Sequence, residues 1–495
     1  MDLSVPLDRL PDPLPIMPVS GPFDAAIRPP GSKSLTNRML LLAGLAEGES
    51  VLRGALADAD DAERMIDALE RLGARVRREG AGGCDLRVRG VGGRWRVGGA
   101  GAALNLNNAG TATRFLCAAA LLADGPVTID GNARMRHRPI GELVAALERL
   151  GARAEYLGRP ACPPVRITPP ERLPVAPSVE LPTTLSSQFI SALLLVGPWV
   201  EGGLTVRLTG PATSASYIEM TLGLLERLGA SAWSAAELRV LRAGAGDARA
   251  RAGRAGIDPF DAHVEPDASG ATYFWAAAAM VPGARCLVEG IGRDSLQGDA
   301  QFPRVLARMG AVVDGADARG IAVRGPQTLR GIEADLSDMP DAAMTLAAAA
   351  CVARGPTTIR GVRTLRVKET DRIAALQTEL AKVGARVDAV DADTIRVTPP
   401  DAGVQAGAVA SPGAGSGSTG GPRGAVGGAE GGASPGGPHA GGGVARVEFD
   451  TYDDHRMAMA LALIGLRRAN VHVRNPACVA KTYPTFWRDW ARLHA

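Results

Sequence analysis

Aromatic residues are scarce in this chain. Phe, Trp and Tyr make up 4% of its 495 residues, so a core has to be packed mainly from Ala, Leu and Val. Long apolar runs are missing as well. The longest, at 190–200, 344–353 and 457–466, reach about half of the roughly 20 residues that a membrane-spanning helix needs. That argues against a membrane protein. The opening residues, MDLSVPLDRLPDPLP, carry acids and prolines where a secretion signal has basic residues and then an apolar run; a cytoplasmic location is expected. Neither sign of charge dominates. The net charge is +3, which argues against nucleic-acid binding, a task that relies on an excess of Lys and Arg. The six cysteines form no CxxC pair, so neither a disulfide framework nor a zinc site is indicated. Cys117, Cys286 and Cys351 stand among apolar residues and read as buried free thiols.

What is present is repetition. A helix ending of the type LERLGAR recurs, with central glycines at Gly73, Gly151, Gly229, Gly310 and Gly384, spaced 78, 78, 81 and 74 residues apart. Each Gly follows an apolar-periodic run and precedes a strand-like one, the position of a left-handed helix cap. A second unit, an Ala- and Leu-rich helix followed by a β-rich strand, appears six times: 32–53, 110–130, 186–208, 269–289, 341–360 and 454–474. The step of 113 residues between the last two copies is anomalous. It falls to 70 once residues 401–443 are set aside, a stretch in which 17 of 43 residues are Gly. Such a composition cannot pack a core and reads as a flexible insertion whose ends can lie close together. Six units of this size predict an α/β protein of two similar domains, each of three α/β units around buried parallel helices. A solenoid is the alternative, although stacked-repeat families have shorter periods. Helices such as TATRFLCAAALL and RMAMALALIGL are apolar on nearly every side, which buries them completely.

The residues that open these helices carry the chemistry. The first copy begins PPGSKSLTNR, with Lys33, Ser34 and Arg38. The second begins NNAGTATR, with Asn108, Gly110, Thr111 and Arg114. The third holds Ser186, Ser187 and Gln188, the fifth Asp341, and the sixth His455 and Arg456. A helix N-terminus offers unpaired N–H groups and about half a positive charge. Small residues there admit an anion, and Lys or Arg add full charge. One such end is ordinarily a plain cap. Five of them with cations added point to a small polyanion. Loops after the repeat strands add Arg136 and Arg138 in RMRHRPIGEL, Ser214 and Tyr217 in ATSASY, Lys368, Glu369 and Arg372 in RVKETDR, and Lys481 in AKTYP. GSKS lacks the spacing of a nucleotide-binding P-loop.

Taken in order, PGSKSLTNR, NAGTATR, RPIGEL, SSQF, PDAAMT, RVKETDR, DDHRMAMA and AKTYP resemble the 5-enolpyruvylshikimate-3-phosphate synthases, from about Pro15 to the C-terminus. The resemblance implies two domains closing on substrates in the cleft between them, one formed by 1–31 with 265–495 and the other by 32–264. It implies transfer of the enolpyruvyl group of phosphoenolpyruvate to the 5-hydroxyl of shikimate 3-phosphate, with no metal and no cofactor. Lys33, Ser34, Arg38, Ser186, Ser187, Gln188, Ser214, Tyr217, Asp341 and Lys368 would hold shikimate 3-phosphate. Lys33, Asn108, Gly110, Thr111, Arg114, Arg138, Gln188, Arg372, Arg456 and Lys481 would hold phosphoenolpyruvate. Lys33, Asp341 and Glu369 would move protons, a division of acid and base work that suits opposed neighbours. A monomer is expected, with small anions as its partners.

Three positions depart from the family's common pattern. Thr113 and Phe115 are expected to flank the phosphoenolpyruvate pocket, and with Gly110 to set its response to the competitor glyphosate. Thr364 stands where Asn often contacts substrate. Two other readings compete: a UDP-N-acetylglucosamine enolpyruvyl transferase, whose first helix opens GAKN rather than GSKS, and a non-catalytic anion-binding paralogue, against which Lys33, Asp341, Glu369 and Lys481 are all present.

Overall fold

The computed structural model describes residues 2–80, 83–182, 186–317, 319–401 and 444–495. The Gly-rich stretch anticipated at 401–443 lies outside them apart from its first residue. Six helices sit inside the protein: Lys33–Leu45, Gly110–Ala119, Ser187–Val196, Ala268–Met280, Ala343–Ala350 and His455–Gly465. Leu40, Leu41 and Leu42 are consecutive and all fully buried, which an amphipathic helix does not allow. Each contributes about 1.5–3 kcal/mol of burial. Alanines keep the remaining surfaces shallow, so helices pack on one another directly: Gly110–Ala119 on Ser187–Val196, and Ala343–Ala350 on His455–Gly465. Among the described residues no helix is long and apolar enough to cross a membrane.

Each buried helix runs into a short strand: Glu49–Arg53, Val127–Asp130, Leu204–Leu208, Arg285–Glu289, Thr357–Arg360 and Val471–Val473. In the first five units a second helix and an antiparallel strand pair follow. Those five second helices end at Gly73, Gly151, Gly229, Gly310 and Gly384, with φ of 102°, 95°, 81°, 109° and 80°. A side chain there would cost about 1–2 kcal/mol. At the first of them the Gly73 N–H bonds Glu70 O and the Ala74 N–H bonds Leu69 O, both at 3.0 Å, which satisfies two carbonyls of the last turn.

Among the described residues six sheets result, five of four strands and one of three. In each four-stranded sheet the leading strand is parallel to the strand after the buried helix, and the other pairings are antiparallel. Two leading strands are exchanged over long distance. Asp24–Ile27 pairs with Arg285–Glu289, and Asp261–His263 pairs with Glu49–Arg53. The three-stranded sheet is completed by Leu14–Ile16, antiparallel to Val471–Val473.

Buried apolar side chains form two cores. One draws on residues between Leu10 and Ile27 and between Ala268 and Leu493; the other spans Leu35 to Val264. The chain passes between them twice, and the two passages touch. Gly31 bridges Pro266 in antiparallel fashion, the Ser32 N–H bonds Glu265 O at 2.8 Å, and the Asp267 N–H bonds Pro30 O at 2.8 Å. A Cβ on Gly31 would lie 2.2 Å from the Gly54 carbonyl oxygen, so only glycine fits there.

Candidate active site

Five of the six buried helices bring their N-termini to one pocket between the two cores. From one half it is lined by Lys33, Ser34, Arg38, Gly110, Thr111, Arg114, Arg138, Ser186, Ser187, Gln188, Ser214 and Tyr217. From the other come Asp341, Lys368, Glu369, Arg372, His455 and Arg456. Lys481 and Asn108 meet across the halves, the lysine donating to the Asn108 carbonyl at 3.0 Å. Every residue assigned to a substrate is thus brought to one place; Arg136 is not, its exposed guanidinium lying on Asp130 at 2.7 Å. The helices opened by Lys33 and Gly110 have no side-chain cap, whereas Asp267, Asp454 and Ser186 cap theirs and the Ala343 helix continues a 3-10 turn, its first N–H bonding Pro340 O. Uncapped first turns leave N–H groups for an anion.

Arg372 organises the acidic side. It donates Nε to Asp454 Oδ2 at 2.7 Å, Nη2 to Asp454 Oδ1 at 3.1 Å, Nη1 to Asp341 Oδ1 at 3.0 Å and Nη2 to Glu369 Oε2 at 3.0 Å. Four of its five N–H groups are therefore engaged. Asp341 Oδ2 also pairs with Arg456 at 3.0 Å and accepts from the Tyr217 hydroxyl at 3.2 Å, a bond that joins the halves. Lys368 Nζ lies 3.6 Å from Asp341 Oδ1, and Lys481 Nζ 3.4 Å from Glu369 Oε1.

This crowding sets the protonation states. Burial pushes the Asp341 carboxyl up, but Arg456, Lys368 and Arg372 outweigh it and hold the group well below its ordinary value. Burial also raises Glu369, and Lys481 and Arg372 likewise pull it well below. Both are ionised at neutral pH. Burial pulls the Lys368 ammonium down, against the opposing effect of Asp341. His455 is neutral: burial, and then Arg456, lower it well below the ordinary imidazole value. Behind the site, burial and then Asp341 push Asp299 up to about 7.

On the other side, Arg38 lies under the pocket with four donors spent. Nε reaches Thr221 Oγ1 at 2.9 Å, Nη1 the Ser34 carbonyl at 2.9 Å, and Nη2 Ser191 Oγ and the Tyr217 carbonyl at 3.2 and 3.1 Å. One N–H remains for a ligand. Burial lowers Arg38 to about 10, and burial with the neighbouring Arg138 lowers Arg114 to about 9; both stay charged at neutral pH. Arg138 Nη1 donates to Asn108 Oδ1 at 3.3 Å.

Thr113 and Phe115 do not flank the pocket as expected. Thr113 returns its hydroxyl to the Ala109 carbonyl at 2.9 Å, and Phe115 lies beneath Arg38, its ring centre 5.1 Å from Cζ. Their helix turns them inward, because only Gly110, Thr111 and Arg114 of it face the pocket. Thr364 does line it, with a buried hydroxyl that has no hydrogen-bond partner. Two residues the sequence did not single out also belong here. Asp454 holds Arg372, and Asp61 lines the pocket beside Lys33.

A buried, cation-rich pocket with two ionised carboxylates, closed by both halves of a six-unit α/β protein, defines a group-transfer enzyme for small anionic substrates. The chain belongs to the EPSP synthase (3-phosphoshikimate 1-carboxyvinyltransferase) family, whose model matches residues 19–413 and 433–490. A 3-phosphoshikimate 1-carboxyvinyltransferase of Laribacter hongkongensis is 42% identical over 468 residues, covering 94% of this chain and 96% of that one. The one from Ralstonia pickettii is 42% identical over 484 residues, covering 96% and 99%. Among solved structures, an EPSP synthase from Acinetobacter baumannii shares the fold with TM-score 0.71 at 24% identity over 97% of this chain and 98% of that one. The enolpyruvyl transferase NikO of Streptomyces tendae shares it with TM-score 0.64 at 18% identity, over 97% of each chain.

Proposed function

We propose that this pocket carries out the family's reaction, moving the enolpyruvyl group of phosphoenolpyruvate to the 5-hydroxyl of shikimate 3-phosphate with release of phosphate. The observation that carries the reading is the convergence of cations from both halves around ionised Asp341 and Glu369. Lys33, Arg114 and Arg138 come from one half, and Lys368, Arg372, Arg456 and Lys481 from the other. Two phosphorylated carboxylates need that density of positive charge.

Asp341 accepts the 5-hydroxyl proton as Lys33 gives one to the methylene carbon, forming the tetrahedral adduct. Glu369, held ionised, takes a proton back from the new methyl group as phosphate leaves. Lys33, Ser186, Ser187, Gln188, Ser214, Tyr217, Asp341 and Lys368, with Ser34 and the last N–H of Arg38, hold shikimate 3-phosphate. Lys33, Asn108, Gly110, Thr111, Arg114, Arg138, Gln188, Arg372, Arg456 and Lys481 hold the donor. The two cores act as domains, 1–31 with 265–495 and 32–264, of a cytoplasmic monomer.

Phosphate release from the purified chain tests the reading. Release with phosphoenolpyruvate plus shikimate 3-phosphate, and not with either alone, is expected. Release with UDP-N-acetylglucosamine as the acceptor instead would overturn it.

A further inference from the structure

Asp61 stands at the start of the helix Asp60–Arg71, one of three acids in its first turn. Acids in that position ordinarily face solvent and complement the helix dipole. Asp60 does so partly, accepting from Arg64 Nε at 3.1 Å and from Asn107 Nδ2 at 3.0 Å. Asp61 does not: it is 1% exposed and turned into the pocket. Its Oδ2 lies 3.3 Å from Lys33 Nζ and its Oδ1 3.8 Å from Lys481 Nζ. Oδ1 has no hydrogen-bond partner. Lys33 belongs to the same half as Asp61, and Lys481 to the other.

A buried carboxylate without a hydrogen-bonded partner is unfavourable unless cations compensate it. Two buried ammonium groups brought together have the converse problem, since like charges in a poorly screened site repel. Asp61 answers both at once. It stands between lysines of opposite halves, Glu369 being the second carboxylate on Lys481 at 3.4 Å. Burial alone would drain the proton from Lys481, and Asp61 is the foremost of the groups that hold it above its ordinary value.

We propose that Asp61 is a positioning residue for the enolpyruvyl donor, holding Lys33 and Lys481 convergent on phosphoenolpyruvate. The inference rests on the assignment of those two lysines to the donor.

Steady-state kinetics with both substrates varied, together with calorimetry of shikimate 3-phosphate alone, tests it. Asp61→Asn keeps the size and removes the charge. The expected result is a KM for phosphoenolpyruvate raised at least about tenfold, the scale of one weakened charge pair at a binding site. Shikimate 3-phosphate binding should weaken by a clearly smaller factor, since of the two lysines only Lys33 is also assigned to that substrate, and its retention shows that the variant is folded. Asp61→Glu should restore a good part of the loss. An unchanged KM for phosphoenolpyruvate overturns the proposal, and so does equal weakening of both substrates. Lys33→Ala and Lys481→Ala run alongside. If they raise the KM for phosphoenolpyruvate and Asp61→Asn does not, the inference about Asp61 fails alone. If they leave that KM unchanged, the lysine assignment fails and takes the inference with it.

Discussion

Arg372 lies two-pronged on Asp454, Nε at 2.7 Å from Oδ2 and Nη2 at 3.1 Å from Oδ1, although 82 residues separate them. The pair ties the RVKETDR loop to the cap of the helix that carries His455 and Arg456. It also leaves Arg372 free to hold Asp341 and Glu369 in fixed positions. A lysine has the charge but not the planar fork. Arg372→Lys should lower kcat/KM by about 100-fold or more, from the loss of charge-assisted bonds worth about 1.5–3 kcal/mol each. Kinetics on a variant with a measured Tm checks this. Turnover close to that of the parent chain would mean that the fork geometry is dispensable.

Asp299 gives a pH signature. Its folded value of about 7 lies above the ordinary 3.8, raised first by burial. The folded state therefore binds its proton more tightly than the unfolded state does. The stabilising effect is fully present below the unfolded value and is lost as pH rises through about 7. Asp299→Asn is neutral throughout and can still meet the Ser269 hydroxyl, which now donates to Asp299 at 2.9 Å. Its Tm relative to the parent should rise between pH 5 and pH 8, by the equivalent of a few kcal/mol at most, on the order of 2 kcal/mol. Parallel melting curves at both pH values would contradict the assignment.

Gly110 faces Arg138. A Cβ there would lie 2.7 Å from both terminal nitrogens of the guanidinium and 2.9 Å from its central carbon. The end of a flexible side chain can yield, so Gly110→Ala should fold and shift Arg138 within the pocket. Glyphosate is a longer chain than phosphoenolpyruvate, so narrowing the pocket at Gly110 should exclude it more strongly. The inhibition constant of glyphosate should therefore rise by a larger factor than the KM for phosphoenolpyruvate. Equal factors in one kinetic assay would remove this account.

The insertion enters after the strand Thr394–Thr398 and ends before the strand Val447–Phe449. Just past it the chain is anchored, with Asn470 Nδ2 donating to Val444 O and Val447 N to Asn470 O, both at 3.0 Å. Replacing 402–443 by a short Gly–Ser linker should leave kcat/KM within about twofold, because closure entropy changes slowly with loop length. A large fall in turnover with an unchanged far-ultraviolet circular dichroism spectrum would show that the insertion acts on the site.

Much of this architecture can be read before any coordinates. Helices apolar on all sides and glycines at regular intervals declare the six units, since both follow from local packing and backbone geometry. The exchanged strands do not declare themselves. Asp24–Ile27 and Asp261–His263 have four and three residues, too few to show a pattern, and their partners lie more than 200 residues away. The site divides in the same manner. Lys33, Arg114 and Arg456 stand out because cations at buried helix starts need an anion. Asp61 hides because DADDAER also suits a solvent-facing first turn. Phe115 misleads because neighbouring residues on a helix point in different directions, and only the fold shows that its ring supports Arg38.

The touching passages at Gly31 and Pro266 restrict how the halves can separate. A single flexible tether would let them tumble independently, and each encounter would be a fresh orientational search. Two strands fastened side by side act as a strip hinge and admit mainly one rotation. Any separation of the halves should then follow mainly that one rotation, which would bring the cations of one wall back to the carboxylates of the other in register. Cutting one passage leaves the halves attached but frees the motion they were confined to.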